Sequence, residues 1–298
     1  MRVTDANLAT LRTQWVAQSR ANMAEKERQV ASGKQFERAS ENPIDATRVL
    51  RADRRIARID QFGRNAANAK LWVNTADQAL QSANNNLERA RTLAIQSGNP
   101  ALNGEARAAI AADIHSMSES LRTAANTTVT GRAIFAGTAD AAQAFDETGT
   151  YLGDDGIVRR TLDTHETVQV SLQGPEVFGA SNPADPLNGT VFEMLETIAD
   201  AVEADDQVTV RQGLDAINTA SDRLGGALGR IGAISQQIDA ADVRHGGEVL
   251  QVQANVSRIQ DVDIAEAIIG MRSAELSHQA TLQATSRALS QSLLDFLR

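Results

Sequence analysis

Residues 59–94 read IDQFGRNAANAKLWVNTADQALQSANNNLERARTLA. Within them Ile59, Phe62, Ala66, Ala69, Val73, Ala76, Leu80, Ala83, Leu87, Ala90 and Ala94 alternate steps of three and four without an error. An apolar period of 3.5 residues held over about five heptads is the pattern of a helix that packs along its length. One column holds Ile, Ala, Val, Leu, Leu and Ala, and the other is nearly all Ala. Small side chains in one column let a partner helix approach closely. Upstream, Asn42-Pro43-Ile44-Asp45 supplies an N-cap, a proline suited to the first helical position and an acid that complements the macrodipole. Downstream, Gly98-Asn99-Pro100 is a stop. The spacing predicts one helix of about 55 residues, near 80 Å at 1.5 Å per residue.

Outward from this seam the same grammar recurs. A second helix follows Asn103, with Ile110, Ile114, Met117, Leu121 and Ala124 on one stripe. The short connection predicts that it runs back antiparallel. Ile217, Leu224, Ile231, Ile238, Val252 and Ile259 share a seven-residue column in the C-terminal half, with His245 in the same column. Gly246 and Gly247 make that point the weak one of the third helix. Three long seams must bury one another, which predicts a mainly α chain, an elongated antiparallel helical bundle.

The ends are thinner. Val16, Met23 and Val30 form one seven-spaced column. Ile268, Leu282, Leu289 and Phe296 form another, interrupted by Glu275, with Leu293 adding a further large apolar residue. Asp263 with Glu266 reads as a capping box opening the last helix. Neither stripe can be buried without a partner, so the ends are expected to pair with each other and with other copies, as terminal coiled-coil helices. Between the helical halves, residues 135–190 read as a small inserted β-rich domain. Thr167 to Leu172 alternates polar and apolar, and Gly153-Asp154-Asp155-Gly156 is a turn signal between Tyr151 and Ile157. The expected division is 1–42 and 261–298 for the two terminal helices, 43–134 with 191–260 for the bundle, and 135–190 for the insert.

Composition narrows the function. The 298 residues include no cysteine, carry a formal charge of −9 and are only 3% aromatic. Disulfides, thiolate nucleophiles and Cys-ligated metals are thereby removed. Without a basic run, nucleic acid and acidic membranes are poor partners, and no apolar stretch is long enough for membrane insertion. The first twenty residues carry no apolar core of a secretory signal. The four histidines, His115, His165, His245 and His278, are scattered, with no metal-ligand spacing. Ser32-Gly33-Lys34 lacks the earlier glycine of a phosphate loop, since position 28 is Arg, and no nucleophile elbow occurs. No enzyme, cofactor or metal reading has a constellation to support it. Asp154-Asp155 reads as a hairpin turn, with weak Ca²⁺ binding as the alternative.

Several strings, in order, resemble a known family. Ser32-Gly33-Lys34-Gln35-Phe36 followed by Ser40-Glu41-Asn42-Pro43 is similar to a signature near the N-terminus of flagellins and hook-associated proteins. Gly131-Arg132-Ala133-Ile134-Phe135-Ala136-Gly137-Thr138 resembles the turn into that family's β domain. Tyr151-Leu152-Gly153-Asp154, Gly174-Pro175-Glu176-Val177-Phe178 and Ile231-Gly232-Ala233 resemble further family strings. Ile259-Gln260-Asp261-Val262-Asp263 resembles the entry to its last helix, and Ser290-Gln291-Ser292-Leu293-Leu294-Asp295-Phe296-Leu297 resembles the ending of the hook-associated branch. Glu41-Asn42 replaces the usual Asp-Asp, and Ile234 stands where Arg is typical.

The resemblance implies a structural adaptor of the bacterial flagellum. Such a subunit joins the hook, via another hook-associated protein, to the flagellin filament. It implies export of the unfolded chain by the flagellar type III apparatus, an extracellular place in the flagellum, and homo-oligomeric rings in a helical tube. An export chaperone at the C-terminal helix is implied as a partner. The alternative is a minor flagellin or another self-assembling coiled-coil module. The assembly residues are then expected at Val16, Met23, Val30, Ile268, Leu282, Leu289, Leu293 and Phe296. One charge pattern adds to these: Arg48, Arg51, Arg55 and Arg58 share a helical face, and Glu193, Glu196, Asp200 and Glu203 form a face of opposite sign. They are either two solvated faces or a complementary contact between neighbouring subunits.

Overall fold

A computed structural model describes the backbone of residues 2–296 and the side chains of Asn7 and residues 10–287. The elements run α1 (Arg2–Ser32), α2 (Pro43–Ser97), α3 (Gly104–Ala125), β1 (Thr128–Val129), β2 (Arg132–Ala133), β3 (Arg159–Asp163), β4 (Glu166–Gln169), α4 (Gly174–Phe178), α5 (Val191–Glu203), α6 (Gln207–Gln260) and α7 (Ile264–Phe296). The chain divides into two compact units, residues 1–58 with 248–298, and residues 59–247.

The larger unit holds the predicted seam. From Ala66 to Ala94 every seam residue is buried, Ile59 with them, and Phe62 is half-buried. α2 starts at Pro43, with Asn42 accepting from the Asp45 amide at 3.2 Å, and ends before Gly98. Ile217, Leu224, Ile231 and Ile238 of α6 are buried in the same core as the α2 seam. Lys70 of α2 pairs with Asp239 of α6 at 2.6 Å, and Gln207 Nε2 donates to the Ser97 carbonyl at 3.3 Å. These two contacts fix an antiparallel pair. Asn103 caps α3 by accepting from the Ala106 amide at 2.8 Å. α3 packs on α5, where Ser118 Oγ donates to the Phe192 carbonyl at 3.3 Å. The helix α6 continues unbroken through Gly246 and Gly247.

The insert departs from its expected outline. β1 and β2 pair antiparallel as Thr128 with Ala133 and Val129 with Arg132. Their two-residue turn, Thr130-Gly131, lies at positive φ in both residues (52° and 82°), the backbone of a tight hairpin turn. β3 pairs with β4, and the expected strand Thr167–Leu172 starts one residue earlier and stops at Gln169. The amide of Val170 continues toward the Val158 carbonyl at 2.9 Å. The expected hairpin at 153–156 is absent. Tyr151 bridges backward to Phe145 instead. Asp154 accepts from the amide and hydroxyl of Thr138 at 2.6 and 2.7 Å and from the Gly156 amide at 3.0 Å. These bonds hold its carboxyl below the ordinary carboxylate value, the Thr138 hydroxyl contributing most. The Asp-Asp turn signal is thus spent on a loop that grips Thr138. Beneath it Phe135, Phe145, Phe178 and Phe192 stack and abut with centroids 5.2–5.9 Å apart, so the insert shares one core with α5.

Candidate assembly surface

In the smaller unit α1 packs antiparallel on α7. Among the described residues of α1, half-buried Arg12, Val16, Ser19, Met23, Lys26 and Val30 alternate steps of three and four, with Gln29 and Ser32 also half-buried at its C-terminal end. Opposite them on α7 stand buried Ala267 and half-buried Gly270, Met271, Ala274, His278, Thr281 and Thr285. Val16, Met23 and Val30, expected at an assembly interface, therefore lie in the seam of the intrachain pair. Ile268 is half-buried, whereas Leu282 is exposed and outside the seam. Leu289, Leu293 and Phe296 lie outside the residues whose side chains are described.

Among its described residues the pair covers many small and polar groups and leaves several large apolar ones in water. Trp15 is 59% exposed, Ile269 69% and Leu276 67%, and Leu11 and Ile264 are also exposed. Scattered exposed apolar residues are ordinary, but a concentration on two paired helices marks an interaction surface. A groove runs beside the seam, lined by Trp15, Gln18, Asn22, Gly270, Ser273 and Ser277 among others. Small residues on its α7 wall leave room for a further helix. Sequence reasoning missed Leu11, Trp15, Ile269 and Leu276 because it sought one buried stripe per helix. The usable signal was one of only two tryptophans placed on a polar terminal helix.

The pair is anchored where α1 and α7 meet the long helices. The segment after α1 crosses the segment before α7 as an antiparallel bridge, Lys34 with Asp261. Phe36 is buried beneath the crossing. Glu41 accepts from the amides of Glu37 and Arg38 at 3.0 and 3.3 Å, and these bonds lower its pKa. Asp263 accepts from the Ala265 and Glu266 amides at 2.9 and 3.3 Å, which caps α7. The reciprocal capping box is instead at α5, between Thr190 and Glu193.

Part of each charged face is paired within the chain. Arg48 pairs with Asp45 at 3.0 Å and Arg55 with Glu248 at 2.6 Å. Arg48, Arg51, Arg55 and Arg58 are all exposed. On α5, Glu196, Asp200 and Glu203 are exposed, with Asp200 3.7 Å from His115. Glu193 is turned inward, its carboxylate accepting from the amides of Asn182 and Thr190 and from Ser181. His245 is buried against Phe62, ring centroids 6.1 Å apart, with no hydrogen-bond partner on either ring nitrogen. Among the described residues no three His, Asp or Glu side chains gather as metal ligands. No described helix is long and apolar enough to cross a membrane.

Paired terminal helices continuous in sequence with a long-helix bundle define a flagellin-type subunit. Residues 5–140 match the bacterial flagellin N-terminal helical region and residues 214–297 its C-terminal helical region. The chain belongs to the bacterial flagellin family. Over 289 residues it is 25% identical to flagellar hook-associated protein 3 of Salmonella typhimurium, covering 91% of this chain and 90% of that one. It is 21% identical over 285 residues to the flagellin of Listeria monocytogenes, covering 95% of this chain and 94% of the relative. The fold matches a putative flagellar hook-associated protein from Vibrio parahaemolyticus with a TM-score of 0.68 at 20% identity, over 74% of this chain and 100% of that one.

Proposed function

We propose that this chain is a structural adaptor of the bacterial flagellum, joining the hook, through another hook-associated protein, to the flagellin filament. The observation that carries the reading is the paired terminal helices with Leu11, Trp15, Ile269, Leu276 and Leu282 turned to solvent. Each Leu-, Ile- or Trp-sized side chain left in water forgoes about 1.5–3 kcal/mol that a neighbouring subunit can recover. The higher identity to hook-associated protein 3, 25% against 21% to the Listeria flagellin over similar spans, favours a junction subunit over a bulk flagellin. In this reading residues 1–42 and 261–298 form the inner layer of a tube, 43–134 and 191–260 the surrounding bundle, and 135–190 the outer face. Copies assemble as a ring after export of the unfolded chain by the flagellar type III system. The C-terminal helix is first held by an export chaperone. Absence of cysteine suits such a route, since no disulfide can trap the chain in transit. The role is structural, not enzymatic.

In the proposed assembly Val16, Met23, Val30 and Ile268 hold the α1–α7 pair, and Leu11, Trp15, Ile269, Leu276 and Leu282, together with Leu289, Leu293 and Phe296, meet the neighbouring subunits. The arginine face at 48, 51, 55 and 58 and the acidic residues Glu196, Asp200 and Glu203 are proposed to set register between neighbours. Reversal of Arg51 and Arg55 to Glu is the test of that contact. The junction role is tested in cells that lack the native protein. Trp15→Ala with Leu276→Ala is expected to be exported normally yet to leave flagellin free in the medium instead of attached to hooks. A minor flagellin would instead polymerise alone into long filaments in bulk, and that result would contradict the proposal.

A further inference from the structure

We infer that Ser19 and His278 fix the register of α1 on α7, and that the residues one heptad either side of Ser19 oppose the slipped registers. Ser19 Oγ donates to the Val16 carbonyl at 3.0 Å. Assigning its single proton to that bond makes the imidazole Nδ1–H the donor and the hydroxyl oxygen the acceptor at the 2.8 Å contact with His278. A second contact confirms the antiparallel alignment: the Lys26 side chain lies 3.7 Å from where a Cβ on Gly270 would stand. This alignment sets Met23 level with Ala274.

The rest of the seam repeats Val16, Met23 and Val30 against Ala267, Met271 and Ala274, and a repeat of apolar and small residues does not by itself choose one alignment. A slip of seven residues keeps knobs facing holes and is the natural competitor of any heptad pair. Such a slip carries His278 from Ser19 to Lys26 in one direction and to Arg12 in the other. Both are donors with no acceptor, so the imidazole N–H loses its partner and faces a cation. Arg12, Ser19 and Lys26 form one seven-spaced column, with the hydroxyl at the one position where the imidazole is accepted. A single polar pair inside a coiled-coil seam commonly specifies alignment in this way. The inference concerns the pair within one chain and stands independently of what that pair later joins.

The native chain has no cysteine, so paired cysteines report alignment directly. Met23→Cys with Ala274→Cys captures the observed register on mild oxidation of the full-length monomer. Met23→Cys with Thr281→Cys captures the slip that brings His278 to Lys26. In the parent chain the first pair is expected to dominate. Adding Ser19→Ala and His278→Ala should lower the ratio of native to slipped cross-link about fivefold to tenfold, the worth of one partly buried hydrogen bond. Ser19→Thr, which keeps the hydroxyl, should retain the parent ratio. Nitrogen-15 NMR of the histidine rings should show His278 protonated at Nδ1. An unchanged ratio in the double alanine variant, or an Nδ1 without a proton, overturns the inference. Failure of the native pair to cross-link in the parent overturns the α1–α7 pairing itself.

Discussion

The backbone amide of Gln35 donates to the carbonyl of Gln260 at 2.7 Å, and the amide of Val262 returns a bond to the carbonyl of Gly33 at 2.9 Å. Two connectors that are 225 positions apart in sequence are thereby stitched at the point where both terminal helices leave the long ones. Gln35 Nε2 adds a bond to the Asp261 carbonyl at 3.2 Å. Gln35→Pro removes the backbone donor and leaves the Gln260 carbonyl unmet, at a cost of about 1–3 kcal/mol. Gln35→Ala keeps the amide and should cost less. Hydrogen exchange at the Val262 amide is the check: it should accelerate markedly in the proline variant and little in the alanine one.

The α2 seam predicts opposite failures in its two columns. Leu87 is fully buried among large residues, and Leu87→Ala should destabilise by about 2–5 kcal/mol. Ala83 is equally buried in the small-residue column. There Ala83→Leu should also destabilise, by about 1–3 kcal/mol, through overpacking. Thermal unfolding of both variants checks the assignment; a neutral Ala83→Leu would show that the column does not face a partner.

Much of this architecture was readable from spacing alone, because burial in long helices imposes a period that local chemistry rarely disturbs. Asn42, Pro43 and Gly98 marked the ends of α2, and Asn103 the start of α3, since caps act through adjacent backbone groups. The insert was less legible. Gly153-Asp154-Asp155-Gly156 has hairpin chemistry, but the carboxylate of Asp154 found Thr138 far away in sequence, a pairing that no local rule anticipates. The Phe135–Phe178–Phe145–Phe192 cluster was hidden for the same reason. At the terminal pair, reading only apolar columns found Val16, Met23 and Val30 but passed over Ser19 and His278. Their chemistry is visible only once the antiparallel alignment is known.

Glu193 ties acid stability to the capping box of α5. Burial acts to raise its pKa, but hydrogen bonds from Ser181, Thr190 and Asn182 outweigh it and leave the group below its ordinary value of 4.5. A carboxylate lowered in the folded state lends stability above the unfolded pKa and loses it as pH falls through the folded one. The contribution is therefore present at neutral pH and declines below about pH 4.5. Glu193→Gln should reduce stability at pH 7 and flatten its decline under acid. Thr190→Ala, which removes the other half of the box, should cost about 0.5–2 kcal/mol. Denaturant titrations across pH 3–7 distinguish these outcomes from an inert surface acid.

His245 offers a stabilising substitution. It occupies a core column position against Phe62 with both ring nitrogens buried and unpartnered. Polar atoms held this way cost free energy that an apolar side chain of similar size does not. His245→Leu should therefore raise stability, by about 1–2 kcal/mol, and raise the thermal midpoint. A lower midpoint would show that the imidazole has a partner the folded monomer does not display.

In the proposed role the exposed apolar faces of α1 and α7 are completed by neighbouring subunits at a hook–filament junction. A density map of that boundary in native flagella carrying this chain tests it most directly. This subunit is expected in a ring confined to the boundary, with Trp15, Ile269 and Leu276 buried against adjacent subunits. Subunits distributed along the filament, or a boundary ring in which those three side chains still face solvent, would contradict it.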